Sequence, residues 1–369
     1  MRAFVTSRRV WLLAASIALL AVFGADYATG SEVSVSLLYL VPVAAAGWFV
    51  GRRAAMVLSA GATASWVAAY LLVRHFLFDP RLLFWNATVE AGVYLTVALT
   101  LSALRLEMDK QRATSLELRE AYEQLDQELQ AVGKIQRRML PAAPPRPAGW
   151  RFAVHYSPSR RAGGDYYDFF PLDQGRIGFL IADASGHGTP AAVMMAMMRA
   201  LVHTDPAALD APERALCSAN ARFAPIILAG QFVTACYVVF ERARVDYALA
   251  GHVPPLVARA KTGEVEEFVN RSGPPLGLFD KASFAREGAR LEPGDTVLLY
   301  TDGLTEAMDG SRRFLGVDRV KQVLAEHCLE PEDQLCERLL EELRFHVGRG
   351  GLSDDLTLIV ARAVPYARS

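Results

Sequence analysis

The stretch RAGGDYYDFF, residues 161–170, decides how the second half of this chain is understood. Gly163-Gly164-Asp165 is either part of a nucleotide-cyclase signature or one corner of a metal site with another chemistry. A cyclase signature of that kind carries a second acidic residue directly after the first and needs an upstream metal-binding aspartate. Here Tyr166 and Tyr167 follow Asp165, and the upstream region has the pattern of a helical coil. Asp165 therefore has to be interpreted together with the other carboxylates of the chain.

Those carboxylates stand where apolar runs stop. Asp183 ends FLIAD and enters ASGHG, Asp302 ends VLLYTD and enters GLTEA, and Asp354 and Asp355 open DDLTLIV. A single carboxylate at a strand end is usually a cap or a turn former. Together with Asp165 they imply convergence on one edge, where like charges repel and a hard divalent cation is the natural remedy. His187 and His252 are the candidate nitrogen ligands, and they lack the spacing of a zinc site. Oxygen donors point to Mg²⁺ or Mn²⁺. Two such ions would share a water, lower its pKa and aim it in line at a phosphorus atom. Glycines beside the aspartates let backbone carbonyls and water approach without a Cβ in the way. No serine, cysteine or histidine nucleophile is required.

From Trp150 onward the pattern alternates between strand and helix. RFAVHYSP, RIGFLIADAS, QFVTACYVVFE, RVDYALAGH, PPLVARAKTGEVEEF, DTVLLYTDG and DDLTLIVARA predict strands, several joined by the Gly and Pro turns of hairpins. TPAAVMMAMMRALVHT, VDRVKQVLAEH and PEDQLCERLLEELRFHV predict amphipathic helices. Hairpins and helices in separate runs imply an α+β fold with antiparallel sheets.

The order of motifs carries a resemblance. IQRRMLP, AGGDYYDFF, IADASGHGTPAA, ALAGHVPPLV, GPPLGLF, LLYTDGLTEAMD and SDDLTLIVAR resemble the bacterial PPM phosphatases of the sporulation and stress-response regulator type (SpoIIE/RsbU-like). Those in turn resemble the eukaryotic metal-dependent PP2C enzymes in fold. Each motif alone is weak, but seven in one order are specific, and they cover the chain from about Ile135 to Ala363. The resemblance implies a PP2C-like β-sandwich of two antiparallel sheets flanked by helices, two Mn²⁺ or Mg²⁺ ions at one end, and hydrolysis of phosphoserine or phosphothreonine on a protein. By the same resemblance Asp165 would ligate metal and Asp183 would bridge both ions, joined by the Ala184 carbonyl. Asp302 and Asp354 would complete the set, with Asp355 ranked second because many PP2C enzymes have Asn there. Arg160, next to Arg161, would bind phosphate, and the loop holding His187 would contact substrate without His187 acting as a general acid. His252 is expected as a structural turn residue. The substrate implied is a phosphorylated STAS-type anti-sigma-factor antagonist in a partner-switching pathway.

Upstream the composition changes twice. Apolar blocks at about 10–25, 33–50, 54–73 and 85–104 predict four transmembrane helices. Arg2, Arg8 and Arg9 precede the first, Arg52 and Arg53 separate the second from the third, and Arg105, Lys110 and Arg112 follow the fourth. Positive-inside counting then puts both termini in the cytoplasm. Glu90 inside the fourth block is costly unless paired, and is either part of a sensing cavity or a helix-interface contact. From Glu107 to Leu140, Leu118, Leu125, Val132 and Met139 recur every seven residues, with Tyr122 and Leu129 four after the first two. This is an a/d seam, broken at Gln136, that predicts a parallel coiled-coil homodimer. The alternative is one amphipathic helix packed on its own domain. Prolines at 141, 144, 145 and 147 end the helix.

The expected organisation is a transmembrane region over 1–106, a coiled-coil helix over 107–140 and a phosphatase domain over 141–369. The expected location is the bacterial cytoplasmic (inner) membrane, multi-pass, with the phosphatase domain in the cytoplasm. The chain has 369 residues, 52% hydrophobic, and a formal net charge of −1, so nothing global suggests nucleic-acid binding. Mean hydropathy of +0.18 reflects the local membrane blocks. Four scattered cysteines without a C-x-x-C pair fit reduced thiols. Two rival classes fit the sequence less well. A catalytically silent scaffold binding the same partner is disfavoured by the complete acid set. A sensor histidine kinase lacks its ATP-binding boxes and a phosphoacceptor histidine on the coil.

Overall fold

The computed structural model describes residues 8–29, 35–73, 79–186, 188–269, 271–348 and 350–365. His187 lies outside the described residues. The chain divides into two compact units, Met1–Tyr122 and Glu123–Ser369.

The first unit contains α1 (Arg8–Thr29), α2 (Leu40–Phe49), α3 (Arg52–Val73) and the beginning of α4 (Pro80–Met139). Its helices meet through small residues: Ala15, Ala46, Ala55, Ala62 and Ala98 are buried. A Cβ at Gly47 would come within 3.3 Å of the Ala98 carbonyl oxygen. Large apolar side chains such as Leu13, Ile17, Leu20, Val57, Phe84 and Trp85 point outward. Small residues inside and large apolar ones outside is the pattern of helices packed in lipid. Among the described residues three helices, α1, α3 and α4, are long and apolar enough to cross a membrane. The second apolar block differs from the other three. It forms a 3₁₀ turn over Ser36–Tyr39 followed by the ten-residue α2, shorter than the roughly 17 residues a span needs. The helix stops before Gly51, whose φ of +124° no other residue adopts easily. The expected four spans are therefore three long helices and one short one.

The second unit is built from β1 (Trp150–Ser157), β2 (Asp165–Pro171), β3 (Ile177–Ala184), α5 (Thr189–Val202), α6 (Pro212–Phe223), β4 (Val233–Glu241) and β5 (Arg244–Ala250). They are followed by β6 (Leu256–Ala258), β7 (Val265–Glu267), β8 (Glu287–Arg290), β9 (Thr296–Tyr300), α7 (Asp302–Thr305), α8 (Val317–Glu326), α9 (Glu332–Val347) and β10 (Leu356–Ala363). Two five-stranded antiparallel sheets result, in the orders β1-β10-β9-β6-β7 and β2-β3-β4-β5-β8. Helices α5 and α6 cover the second sheet, and α8 and α9 cover the first. The alternation along β10 follows from this layering. Ile359 and Ala361 join the core between the sheets, while Leu358 and Val360 face the cluster under α8 and α9.

The sequence pattern does not predict β2, β8 or α6. β2 shows no alternation because both faces are covered, so its aromatic and acidic residues are buried alike. Between the sheets Phe240 meets Trp150 edge-on at 4.7 Å and Phe152 and Phe179 at 5.3 Å each. Phe240 is 1% exposed. Phe240→Ala is expected to cost about 3–5 kcal/mol, measured by urea unfolding of the Glu123–Ser369 fragment. A loss below about 1 kcal/mol would mean that this cluster does not hold the sheets together.

Candidate active site

The register of β2 against β3 sets Asp165 directly opposite Asp183. Asp165 is 1% exposed. The two glycines before it are dictated by close approach. A Cβ on Gly164 would come 2.8 Å from the Ala184 carbonyl oxygen, and one on Gly163 would come 2.5 Å from Asp355 Oδ2. Any larger residue would push the turn off both neighbours.

The other sheet supplies the remaining acids. Asp302 is the first residue of α7, with one residue between it and the end of β9, and Asp354 and Asp355 lead into β10. Two hydroxyls from this sheet reach across to the first acid. Thr301 Oγ1 donates to Asp165 Oδ2 at 2.8 Å and Thr357 Oγ1 donates to the same oxygen at 2.6 Å. The Thr357 amide in turn donates to Thr301 Oγ1 at 3.0 Å. Both threonines are fully buried. Asp355 does a different job. Its Oδ1 accepts from the Ser159 amide at 2.7 Å and the Ser159 hydroxyl at 3.0 Å, and its Oδ2 accepts from the Gly164 amide. Both of its oxygens tie the β1–β2 connection to β10. Asp354 is exposed, and one of its oxygens accepts from the Asp355 amide.

Burial raises the carboxyl pKa of Asp165 well above the usual range, opposed by the Thr357 and Thr301 hydroxyls and reinforced by Asp355 and Asp302. Burial also raises Asp183, followed by repulsion from Asp165, Asp302, Asp354 and Asp355. Asp302 is pushed up to about 6, by burial first and then by Asp354 and Glu306. These acids therefore sense one another across the two sheets. No three of the described His, Cys, Asp and Glu side chains already close on one point as a finished metal cage. The donor chemistry nevertheless fits a hard divalent cation: carboxylate oxygens, the Ala184 carbonyl beside them, and an excess of negative charge.

The remaining candidates are placed as follows. Arg160 is exposed on the β1–β2 connection. Arg161 instead pairs with Asp126 at 2.8 Å. His252 is 5% exposed and has both ring nitrogens committed, Nδ1 to Thr234 Oγ1 at 2.9 Å and Nε2 to the Tyr300 carbonyl at 3.1 Å. Burial lowers its pKa to about 4, so it is neutral and Nε2 donates.

Sequence reasoning missed four residues: Thr301, Thr357, Ser159 and Gln136. The two threonines were inside the quoted motifs, each one or two positions from an acid. Gln136 was visible as the break in the apolar seam. It is 4% exposed; its Nε2 donates to the Gly163 carbonyl and its Oε1 accepts from the Gly163 amide at 3.0 Å. The end of α4 therefore grips the turn that carries Asp165.

A profile of the family described as Stage II sporulation protein E (SpoIIE) matches residues 173–364, just over half of the chain. The chain belongs to the SpoIIE family. SpoIIE-type relatives include the protein IcfG of Synechocystis, 24% identical over 263 residues, which cover 63% of this chain and 41% of that protein. They also include the phosphoserine phosphatase RsbU of Bacillus subtilis, 26% identical over 247 residues, covering 66% of this chain and 72% of that one. This chain thus spans less than half of the first relative's length. The SiaA PP2C domain of Pseudomonas aeruginosa has the same fold, with a TM-score of 0.56 at 22% identity over 66% of this chain and 99% of that domain. The second unit is a PP2C-like fold of the SpoIIE family.

Raised carboxyl pKa values have a definite sign. The folded protein keeps protons that the unfolded chain releases, so stability falls as pH rises toward the folded pKa values. His252, lowered to about 4 when folded, opposes the trend by at most about half a proton at pH 6.5 and by almost nothing above about pH 7.5, against the two raised carboxyls of Asp165 and Asp183. In chelator, the melting temperature of the Glu123–Ser369 fragment is expected to fall between pH 6.5 and about 8. Asp183→Asn should flatten the decline. A melting temperature that holds or rises in wild type over this window would contradict the clustering of these acids.

Proposed function

We propose that this chain is a membrane-anchored, metal-dependent protein serine/threonine phosphatase. The observation that carries the reading is the meeting of Asp165 and Asp183 from one sheet with Asp302 and Asp354 from the other, at one end of a PP2C-like sandwich. In this reading Asp165, Asp183, Asp302, Asp354 and the Ala184 carbonyl hold two Mn²⁺ or Mg²⁺ ions. When bound, the ions supply neutralisation of the acids and an acidified water for attack on phosphorus. Asp355 holds the loop from which Asp354 projects. Arg160, exposed beside the site, attracts the phosphate dianion. Thr301 and Thr357 occupy one oxygen of Asp165 and so fix the direction of the other.

The substrate proposed is a phosphoserine or phosphothreonine protein of the STAS anti-sigma-factor antagonist type, supported by the likeness to the phosphoserine phosphatase RsbU. The three long apolar helices support a multi-pass anchor in the bacterial cytoplasmic membrane. The proposed division is an anchor over 1–106, a signalling helix over 107–140 and a phosphatase domain over 141–369. Leu118, Tyr122 and Leu125 are exposed apolar residues on α4, which supports pairing of two copies along that helix. Because Gln136 grips Gly163, a change in α4 reaches the acid site through two hydrogen bonds.

The test is turnover of p-nitrophenyl phosphate and of a phosphoserine STAS protein by the full chain in nanodiscs. Activity should require Mn²⁺, disappear in EDTA, and fall at least about a hundredfold in Asp183→Asn. No turnover of either substrate by folded protein with excess Mn²⁺ would overturn the reading. In the same assay Thr357→Val should raise the Mn²⁺ concentration for half-activation about tenfold, the cost of one hydrogen bond to a charged group. Thr357→Ser should restore it. Equal Mn²⁺ requirements in all three proteins would remove the threonine from the site.

A further inference from the structure

The first unit holds a cavity of about 680 Å³ that the phosphatase reading does not use. It lies where the start of α1, the end of α2, the start of α3 and the stretch of α4 from Ser102 to Asp109 come together. Arg8, Arg52 and Arg105 line it, one from each of the three segments that positive-inside counting assigns to the cytoplasmic face. Among the described residues the only acid in the lining is Asp109, which holds Arg105 at 3.0 Å. Among the described residues Arg8 and Arg52 have no acidic partner. Three guanidiniums against one carboxylate leave the cavity strongly cationic.

Its walls are aromatic and apolar. Trp11 stacks on Phe49 with ring centroids 3.9 Å apart, and the Arg105 guanidinium lies 5.6 Å over the Trp48 ring. Phe49 and Leu106 are exposed at its rim. Indoles at this level are the usual markers of a membrane–water interface. The first amides of α3 add the positive end of a helix dipole beside Arg52.

We propose that this cavity binds the phosphodiester head group of an anionic membrane lipid from the cytoplasmic leaflet. Guanidiniums recognise phosphate oxygens by paired hydrogen bonds. The apolar rim and the outward Leu and Val side chains of α1 and α3 continue as a surface for acyl chains. That continuity favours a lipid over a soluble phosphate, which has no use for an apolar rim. The proposal rests on the membrane reading given above and adds a specific ligand to it.

The experiment is native mass spectrometry of the full chain released from neutral detergent, after titration with phosphatidylglycerol or phosphatidylcholine. A separate extraction of cell membranes with alkaline carbonate tests the anchor itself, so that loss of the anchor and loss of the site give different results. Wild type should retain phosphatidylglycerol in preference to phosphatidylcholine. Arg8→Gln and Arg52→Gln should each weaken retention about fivefold. Arg9→Gln and Arg53→Gln, whose side chains do not line the cavity, should leave it unchanged. Equal retention of the two lipids by wild type would overturn the proposal without any variant. So would equal weakening by Arg52→Gln and Arg53→Gln, which would indicate diffuse surface attraction. Displacement of the lipid by inorganic phosphate at matched ionic strength would assign the cavity to a soluble anion instead.

Discussion

Asp165 is a carboxylate buried between two sheets, and the rest of the second unit is arranged around the cost of keeping it there. An unpaired buried carboxylate is unstable. Here one oxygen is satisfied by two threonine hydroxyls that come from the opposite sheet. The same contacts fix the distance between the sheets at the acid end, just as the Trp150, Phe152, Phe179 and Phe240 cluster fixes it in the middle. Hydrogen bonding does not remove the repulsion from Asp183 and Asp302. A bound divalent cation would relieve that remaining repulsion.

Much of this was legible in the sequence because the strand ends announce themselves. Asp183, Asp302 and Asp354 each follow or precede an apolar run, and a strand end is a place the fold has to put at the rim of a sheet. The antiparallel α+β class followed from hairpin turns and from the separation of helices from strands, and the sandwich from the family resemblance. β2 was not legible, because aromatics and acids in DYYDFFP are buried on both faces and leave no period to detect. α6 was hidden by PERALCSANARF, whose polar surface outweighs its buried Leu216, Ala219 and Phe223.

The site was legible as a set of acids but not as a division of labour. Adjacent aspartates at 354 and 355 look alike in sequence, yet one faces solvent and the other is buried and hydrogen-bonded to Ser159 and Gly164. That difference depends on the β1–β10 register, which ends with Ser157 opposite Leu356, and pairing over such a separation cannot be read from local pattern. Gln136 is the converse case. It spoils an apolar seam, and the reason lies in a backbone turn that follows it in the chain by 27 residues.

Gly133 adds a mechanical consequence. It stands three residues before Gln136 in α4, and a Cβ there would collide with the Arg161 carbonyl oxygen. Glycine weakens a helix interior by about 1 kcal/mol relative to alanine. Gly92 is the other glycine of this sixty-residue helix, and Gly133 is the one that lies against the turn carrying the acid. The close contact with the turn and a locally weakened stretch of helix therefore coincide at one residue.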